Sequence, residues 1–157
     1  MPRLLTVLLN WRTPQMTLQA AEAALTALDG IDGALVIVDN ASGDGSEQVM
    51  ADAVRARGWD RGPQAVRVLQ SGRNGGFGAG NNFGIRAGLP DGSLPDYVYI
   101  LNSDAFPAPD AIHALLTHLP IVAPEHTYWV VVSGGAPLPP LPDAVKVVCV
   151  ASGAGHL

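Results

Sequence analysis

The chain has 157 residues, a length that suits one domain and can bury a substantial core. Hydrophobic residues make up 48% and charged residues 15%, which excludes a disordered chain, and a net charge of −5 argues against a nucleic-acid surface. The single cysteine (Cys149) and four scattered histidines exclude an internal disulfide and any recognisable zinc site, and no run approaches the roughly 18 apolar residues of a membrane span.

Leu4 to Leu9 (LLTVLL) is an unbroken apolar run of strand length that meets Asn10. It reads as a buried parallel strand and is too short for a secretory leader, so a soluble cytoplasmic protein is expected. Thr13 and Pro14 mark a helix start, with Thr13 as N-cap and Pro14 at the first helical position. Leu18, Ala21, Leu25 and Leu28 share one face of that helix, and Gly30 supplies the stop. Ala34 to Val38 (ALVIV) is a second strand, ending at Asp39. The following cluster DNASGDGS is turn-forming, and Asp44 with Glu47 three residues on predicts a capping box opening a helix from Ser46 to Arg57.

Val66 to Gln70 is a third strand, and the loop from Ser71 to Gly76 leads into GFGAGNNFGIRAG. Glycines weaken that helix intrinsically, and their density from Gly75 to Gly84 predicts close approach to the backbone, by a ligand or by a packed strand. Tyr97 to Leu101 is a fourth, central strand that runs into Asn102, Ser103 and Asp104. Pro109 then starts a helix with Ile112, Leu115, Leu116 and Leu119 inward, which Pro120 ends.

The β-α alternation predicts a doubly wound parallel sheet, in which ligands bind at the carboxyl ends of the strands. Asn10, Asp39 and the Asn102–Asp104 segment converge on that edge. Asp104 there suits either a hard cation or the capping of a turn. Residues 120–157 break the pattern: they hold six prolines, the segment PLPPLP (137–142), and two strand candidates, Tyr128–Val132 and Val145–Val150. Two parts are therefore expected, a core over residues 1–119 and a proline-rich tail over 120–157 that adds one or two strands. The turn after the first strand (NWRTP) lacks glycine and no G-x-x-x-x-G-K-[ST] loop occurs, which argues against an NAD enzyme and a P-loop NTPase.

Four segments, V-x-x-N-W near the start, VDNASGDGS, RNGGFGAGNNFG and LNSDA, together resemble a family 2 glycosyltransferase of the rhamnosyltransferase-like group. The resemblance covers residues 4 to about 119. It implies the GT-A fold (Rossmann-like, nucleotide-diphospho-sugar transferase), a dTDP- or UDP-linked sugar donor, and Mg2+ or Mn2+. Asp39 resembles the carboxylate that binds the base or ribose, its alternative being the capping of the turn at residues 40–42. Arg73 and Asn74 match the loop against the nucleotide, with an exposed surface charge as the alternative for Arg73. Asn10 resembles the position beside the base, and Trp11 is expected to pack. Asp104 matches the metal-binding carboxylate of the family's D-x-D, and Asn102 replaces its first aspartate, so metal affinity would rest on Asp104. The implied reaction is inverting transfer to a hydroxyl of a saccharide or lipid-linked acceptor, at the inner face of the membrane if the enzyme is peripheral. The family's acceptor-side base has no match: beyond Asp110 only Glu125 and Asp143 remain as carboxylates. The acceptor half thus looks truncated or replaced. That leaves a catalytically silent nucleotide-binding module as the alternative, and self-association as an expectation if an apolar sheet edge is left bare.

Overall fold

A computed structural model describes residues 2–118, 131–132 and 146–151. The elements follow in the order β1 (Leu4–Asn10), α1 (Pro14–Ala27), β2 (Gly33–Asp39), α2 (Ser46–Ala56), β3 (Val66–Gln70), α3 (Gly76–Arg86), β4 (Tyr97–Asn102) and α4 (Ala111–His118). Two further strands, β5 (Val131–Val132) and β6 (Lys146–Ala151), complete them. All pairings are parallel, in the order β3-β2-β1-β4-β6-β5. The predicted α/β parallel sheet is therefore observed.

Each central strand is apolar on both faces because helices cover both. Leu4 and Leu8 of β1, Leu35 and Ile37 of β2, and Tyr99 and Leu101 of β4 pack with Leu18, Ala24, Met50, Val54 and Ile112 from α1, α2 and α4. The alternate residues, Leu5, Val7, Val36, Val38, Val98 and Ile100, face the opposite way and pack with Ile85 and Leu89, in and just after α3. This two-period alternation inside uninterrupted apolar runs is what a doubly covered parallel sheet requires. Because β2 and β3 lie on one side of β1 and β4 on the other, the chain reverses direction across the sheet between β1 and β4. That position is the topological switch point.

Local details depart from the sequence expectations in three places. Thr13 precedes α1, yet its side chain makes no cap; Asn10 Oδ1 instead accepts from the Thr13 N–H at 3.3 Å and from Thr17 Oγ1 at 2.7 Å. The capping box at Asp44 and Glu47 does not form. Gly45 is the N-cap of α2, with φ of 86°, and Asp44 Oδ1 binds the Ser46 N–H (3.0 Å) and hydroxyl two residues on. A two-residue Asx turn reaches its donor sooner than a box spanning three. The last helix begins at Ala111 rather than Pro109; Ile112 is buried and Leu115 and Leu116 are partly so. Leu119, Pro120, the PLPPLP segment, Glu125 and Asp143 lie outside the described residues, as do residues 128–130 of the first tail-strand candidate. Of the second candidate, Val145 lies outside the described residues; the strand runs over Lys146–Ala151 and pairs along β4 with a register shift between Val98 and Tyr99.

The glycines of α3 show what approaches them. A Cβ at Gly84 would lie 2.6 Å from Val7 Cγ1 and 2.9 Å from Val38 Cγ2, and one at Gly80 would lie 2.5 Å from Leu9 Cδ1. At these two positions the helix backbone rests directly on β1 and β2. A Gly84→Ala substitution should therefore lower stability by about 1–3 kcal/mol through overpacking, although alanine is intrinsically the better helix former by about 1 kcal/mol. Urea denaturation checks this; a rise in midpoint would refute close packing as the reason for the glycine.

Candidate functional site

The site is built at the carboxyl ends of β1, β2 and β4. Asn10 and Asp39 are register partners on adjacent strands, and Leu9 pairs with Asn102 on the other side of β1. Polar residues at three strand ends therefore arrive on one edge.

Asp39 is the centre of the left half. It is 1% exposed, and both carboxylate oxygens are fully engaged. Oδ1 accepts from Asn10 Nδ2 at 2.7 Å and Ser42 Oγ at 2.6 Å; Oδ2 accepts from the Ser42 N–H at 3.1 Å and Gln70 Nε2 at 2.9 Å. Burial by itself pushes this carboxyl up. The hydrogen bonds from Ser42, Asn10 and Gln70 outweigh it and hold the group below its ordinary value. Asn10, fully buried, also donates to Ser42 Oγ at 3.3 Å, so both ends of its amide are committed inside the protein.

The turns around this carboxylate are strained in the same place. Arg12 and Ala41 both adopt left-handed backbone, with φ of 59° and 56°, a conformation uncommon outside glycine. Each is tied to the network: the Arg12 N–H donates to Ser42 Oγ at 2.9 Å, and the Ala41 N–H donates to Gln70 Oε1 at 3.2 Å. Arg12 also bonds the Ser42 carbonyl through Nε at 3.1 Å while its guanidinium lies 5.0 Å from the Trp11 ring centre. Trp11 is 50% exposed. The expectation that it packs is corrected: half of it meets solvent, and its ring lies beside the Arg12 guanidinium.

Of the predicted site residues, Asn10 and Asp39 touch directly. Asn74 joins them through Asn40, whose Nδ2 donates to Asn74 Oδ1 at 3.1 Å; the same oxygen accepts from the Gly76 N–H at 2.9 Å, steadying the start of α3. Arg73 is exposed in that loop. Asn102 is half-buried at the end of β4 and Asp104 is exposed two residues on. Sequence reasoning missed Ser42, Gln70, Asn40 and Thr17. Gln70 was findable, since it ends β3 as Asp39 ends β2.

Among the described residues no three His, Cys, Asp or Glu side chains cluster as a metal cage. One carboxylate (Asp104) with a neighbouring amide (Asn102) fits a different arrangement: a hard cation whose other ligands are phosphate oxygens and water. No helix among these residues is long and apolar enough to cross a membrane.

Residues 15–121 match the family model for glycosyl transferase family 2. No curated protein sequence matches the chain. Among solved structures it is similar to S. aureus TarS 1–349 in complex with UDP-GlcNAc, with a TM-score of 0.56 and 16% identity over 73% of this chain and 30% of that one. It is likewise similar to S. aureus TarS 1–349 alone, with a TM-score of 0.55 and 16% identity over 73% of this chain and 31% of the other. The chain thus spans about a third or less of the length of these structures, and at this identity the likeness speaks for the fold.

The Asp39 network yields a test of stability against pH. Asp39→Asn replaces an acceptor by a donor facing other donors and should cost about 2–4 kcal/mol, the order expected for breaking a buried charged network. A carboxyl depressed below 3.8 in the folded state contributes stability that is present above that value and is lost as pH falls through the folded value. Denaturant titrations from pH 7 to pH 2.5 should show this loss in the wild type and a flatter profile in Asp39→Asn. Equal profiles would remove Asp39 from the linkage.

Proposed function

The chain belongs to glycosyl transferase family 2, and we propose that it binds a nucleotide-sugar donor at the strand-end edge for transfer to an acceptor hydroxyl with inversion. The observation that carries this reading is the convergence of Asn10, Asp39 and Asn102–Asp104 on both sides of the β1/β4 switch point. The donor is a UDP- or dTDP-linked sugar, the second in keeping with a rhamnosyltransferase-like chain. The TarS structure in complex with UDP-GlcNAc supports a uridine nucleotide as the first probe.

Each residue takes a role that its geometry permits. The exposed Trp11 face and the Arg73–Asn74 loop flank the base and ribose, while Asp39, held rigid by Ser42 and Gln70, presents fixed charge beneath them. Asn10, internally committed, acts by holding Asp39 and the first turn of α1 in place. Asp104 and the Asn102 amide would hold Mg2+ or Mn2+. When bound, that cation supplies charge neutralisation for the departing nucleoside diphosphate. Residues 1–119 form the donor-binding unit, and the base that takes the acceptor proton lies outside them. The acceptor is a saccharide or a lipid-linked saccharide.

Calorimetry with UDP and dTDP in Mn2+ should show binding that weakens about tenfold or more on adding chelator. Asp104→Ala should bind with the weaker affinity in both conditions. Binding by that variant with undiminished metal dependence would remove Asp104 from the cation site. Transfer assays with free and lipid-linked acceptors then separate an active transferase from a nucleotide-binding module that transfers nothing.

A further inference from the structure

A pocket of about 410 Å³ opens beside the C-terminal half of α1, lined by Glu22, Leu25, Thr26, Asp29 and Trp59. That volume lies in the ordinary range for small-molecule sites, about 300–1,000 Å³. The pocket belongs to the opposite edge of the sheet from the strand-end site. The Trp59 carbonyl accepts from the N–H of Val66, the first residue of β3, at 2.7 Å. The Leu4 N–H at the start of β1 donates to the carbonyl of Asp32, three residues after Asp29, at 2.9 Å. Roughly 20 Å, the length of the seven-residue strand β1, therefore separates this edge from Asn10 and Asp39.

The lining mixes hydrogen-bonding groups with apolar surface. Leu25 and Trp59 are partly buried against the core and supply the apolar part. Glu22, Thr26 and Asp29 are exposed and bring oxygens. The Asp29 carboxylate has no partner among the described residues; only its backbone is engaged, by Thr26 and His113. The Thr26 hydroxyl donates to the Glu22 carbonyl at 3.0 Å, which leaves its oxygen able to accept. Donors stand alongside, because the Arg57 guanidinium lies 4.6 Å from the Trp59 ring centre. Its Nη1 is 3.8 Å from Glu22 Oε2, too long for a hydrogen bond, so both groups keep capacity for a ligand.

This combination selects among ligand classes. Two carboxylates repel phosphates and nucleotides, and Arg57 at the same rim disfavours a cation. A saccharide ring is neutral, its hydroxyls both donate and accept, and its C–H hydrogens suit the negative face of an aromatic ring. We propose that this pocket is a saccharide-binding site, remote from the strand-end edge. The sugar donates to Asp29 and Glu22, accepts from Arg57 and rests on Leu25 and Trp59. The inference does not depend on the donor-binding reading.

The test follows the Trp59 indole N–H by proton–nitrogen correlation NMR in the full chain, titrated with glucose, rhamnose, N-acetylglucosamine and chitobiose. At least one sugar should shift that signal with a Kd on the order of 1 mM. Saturating UDP with Mn2+ should leave the shift in place. Asp29→Ala and Glu22→Gln should melt like the wild type, because both side chains are exposed. Each should weaken sugar binding about tenfold, as expected for one lost hydrogen bond. No shift of the Trp59 signal with any of these sugars overturns the proposal, as does unchanged affinity in both variants. Displacement of the sugar by UDP would put it at the strand-end edge, and tighter binding of arginine than of any sugar would make the pocket a cation site. Either result also overturns the proposal. None of these outcomes bears on donor binding, which UDP calorimetry decides separately.

Discussion

The edge that carries the candidate site depends on one buried carboxylate. Asp39 ends β2 and accepts from Asn10 at the end of β1, from Ser42 in the following turn and from Gln70 at the end of β3. Four hydrogen bonds offset the desolvation of the charge, and the result is a single set of positions for three strand ends. Low local dielectric makes such a network rigid when complete and costly when any member is lost. The two left-handed residues, Arg12 and Ala41, persist because the network over-determines their turns. Trp11, next to the first of these turns, is half exposed.

Packing on the opposite face sets the second boundary. A helix normally rides above a sheet on its side chains, but α3 presents Gly80 and Gly84 to β1 and β2 and so sits close to the strands. Weak intrinsic helicity is compensated by that contact and by Arg67, which satisfies carbonyls at the helix end. Close seating brings the amides of Asn81 and Asn82 into the protein interior, where their oxygens lack partners.

The right half of the site is chemically different from the left. Asp39 is buried and saturated, whereas Asp104 is exposed at the end of β4 beside a neutral amide. A buried, hydrogen-bonded carboxylate organises its neighbours, whereas an exposed one meets solvent. The two aspartates, at the end of β2 and just after β4, thus differ in their surroundings although the residue type is the same.

Much of this was legible in the sequence because parallel strands buried on both faces must be continuous apolar runs, and residues 4–9, 34–38, 66–70 and 97–101 are close to that pattern. Polar residues at their ends, Asn10, Asp39 and Asn102, marked the edge for the same reason: an apolar run stops where the sheet meets solvent or a ligand. Caps were less legible, since Thr13 and Asp44 have several donors within reach and only the folded turn decides among them. What the tertiary structure alone decided were contacts between residues far apart in the chain. Gln70 closing on Asp39 and Gly84 resting on Val7 and Val38 both depend on strand order and on the rotation of α3. Neither is encoded in local periodicity, because periodicity fixes which residues share a face and leaves open what that face will meet.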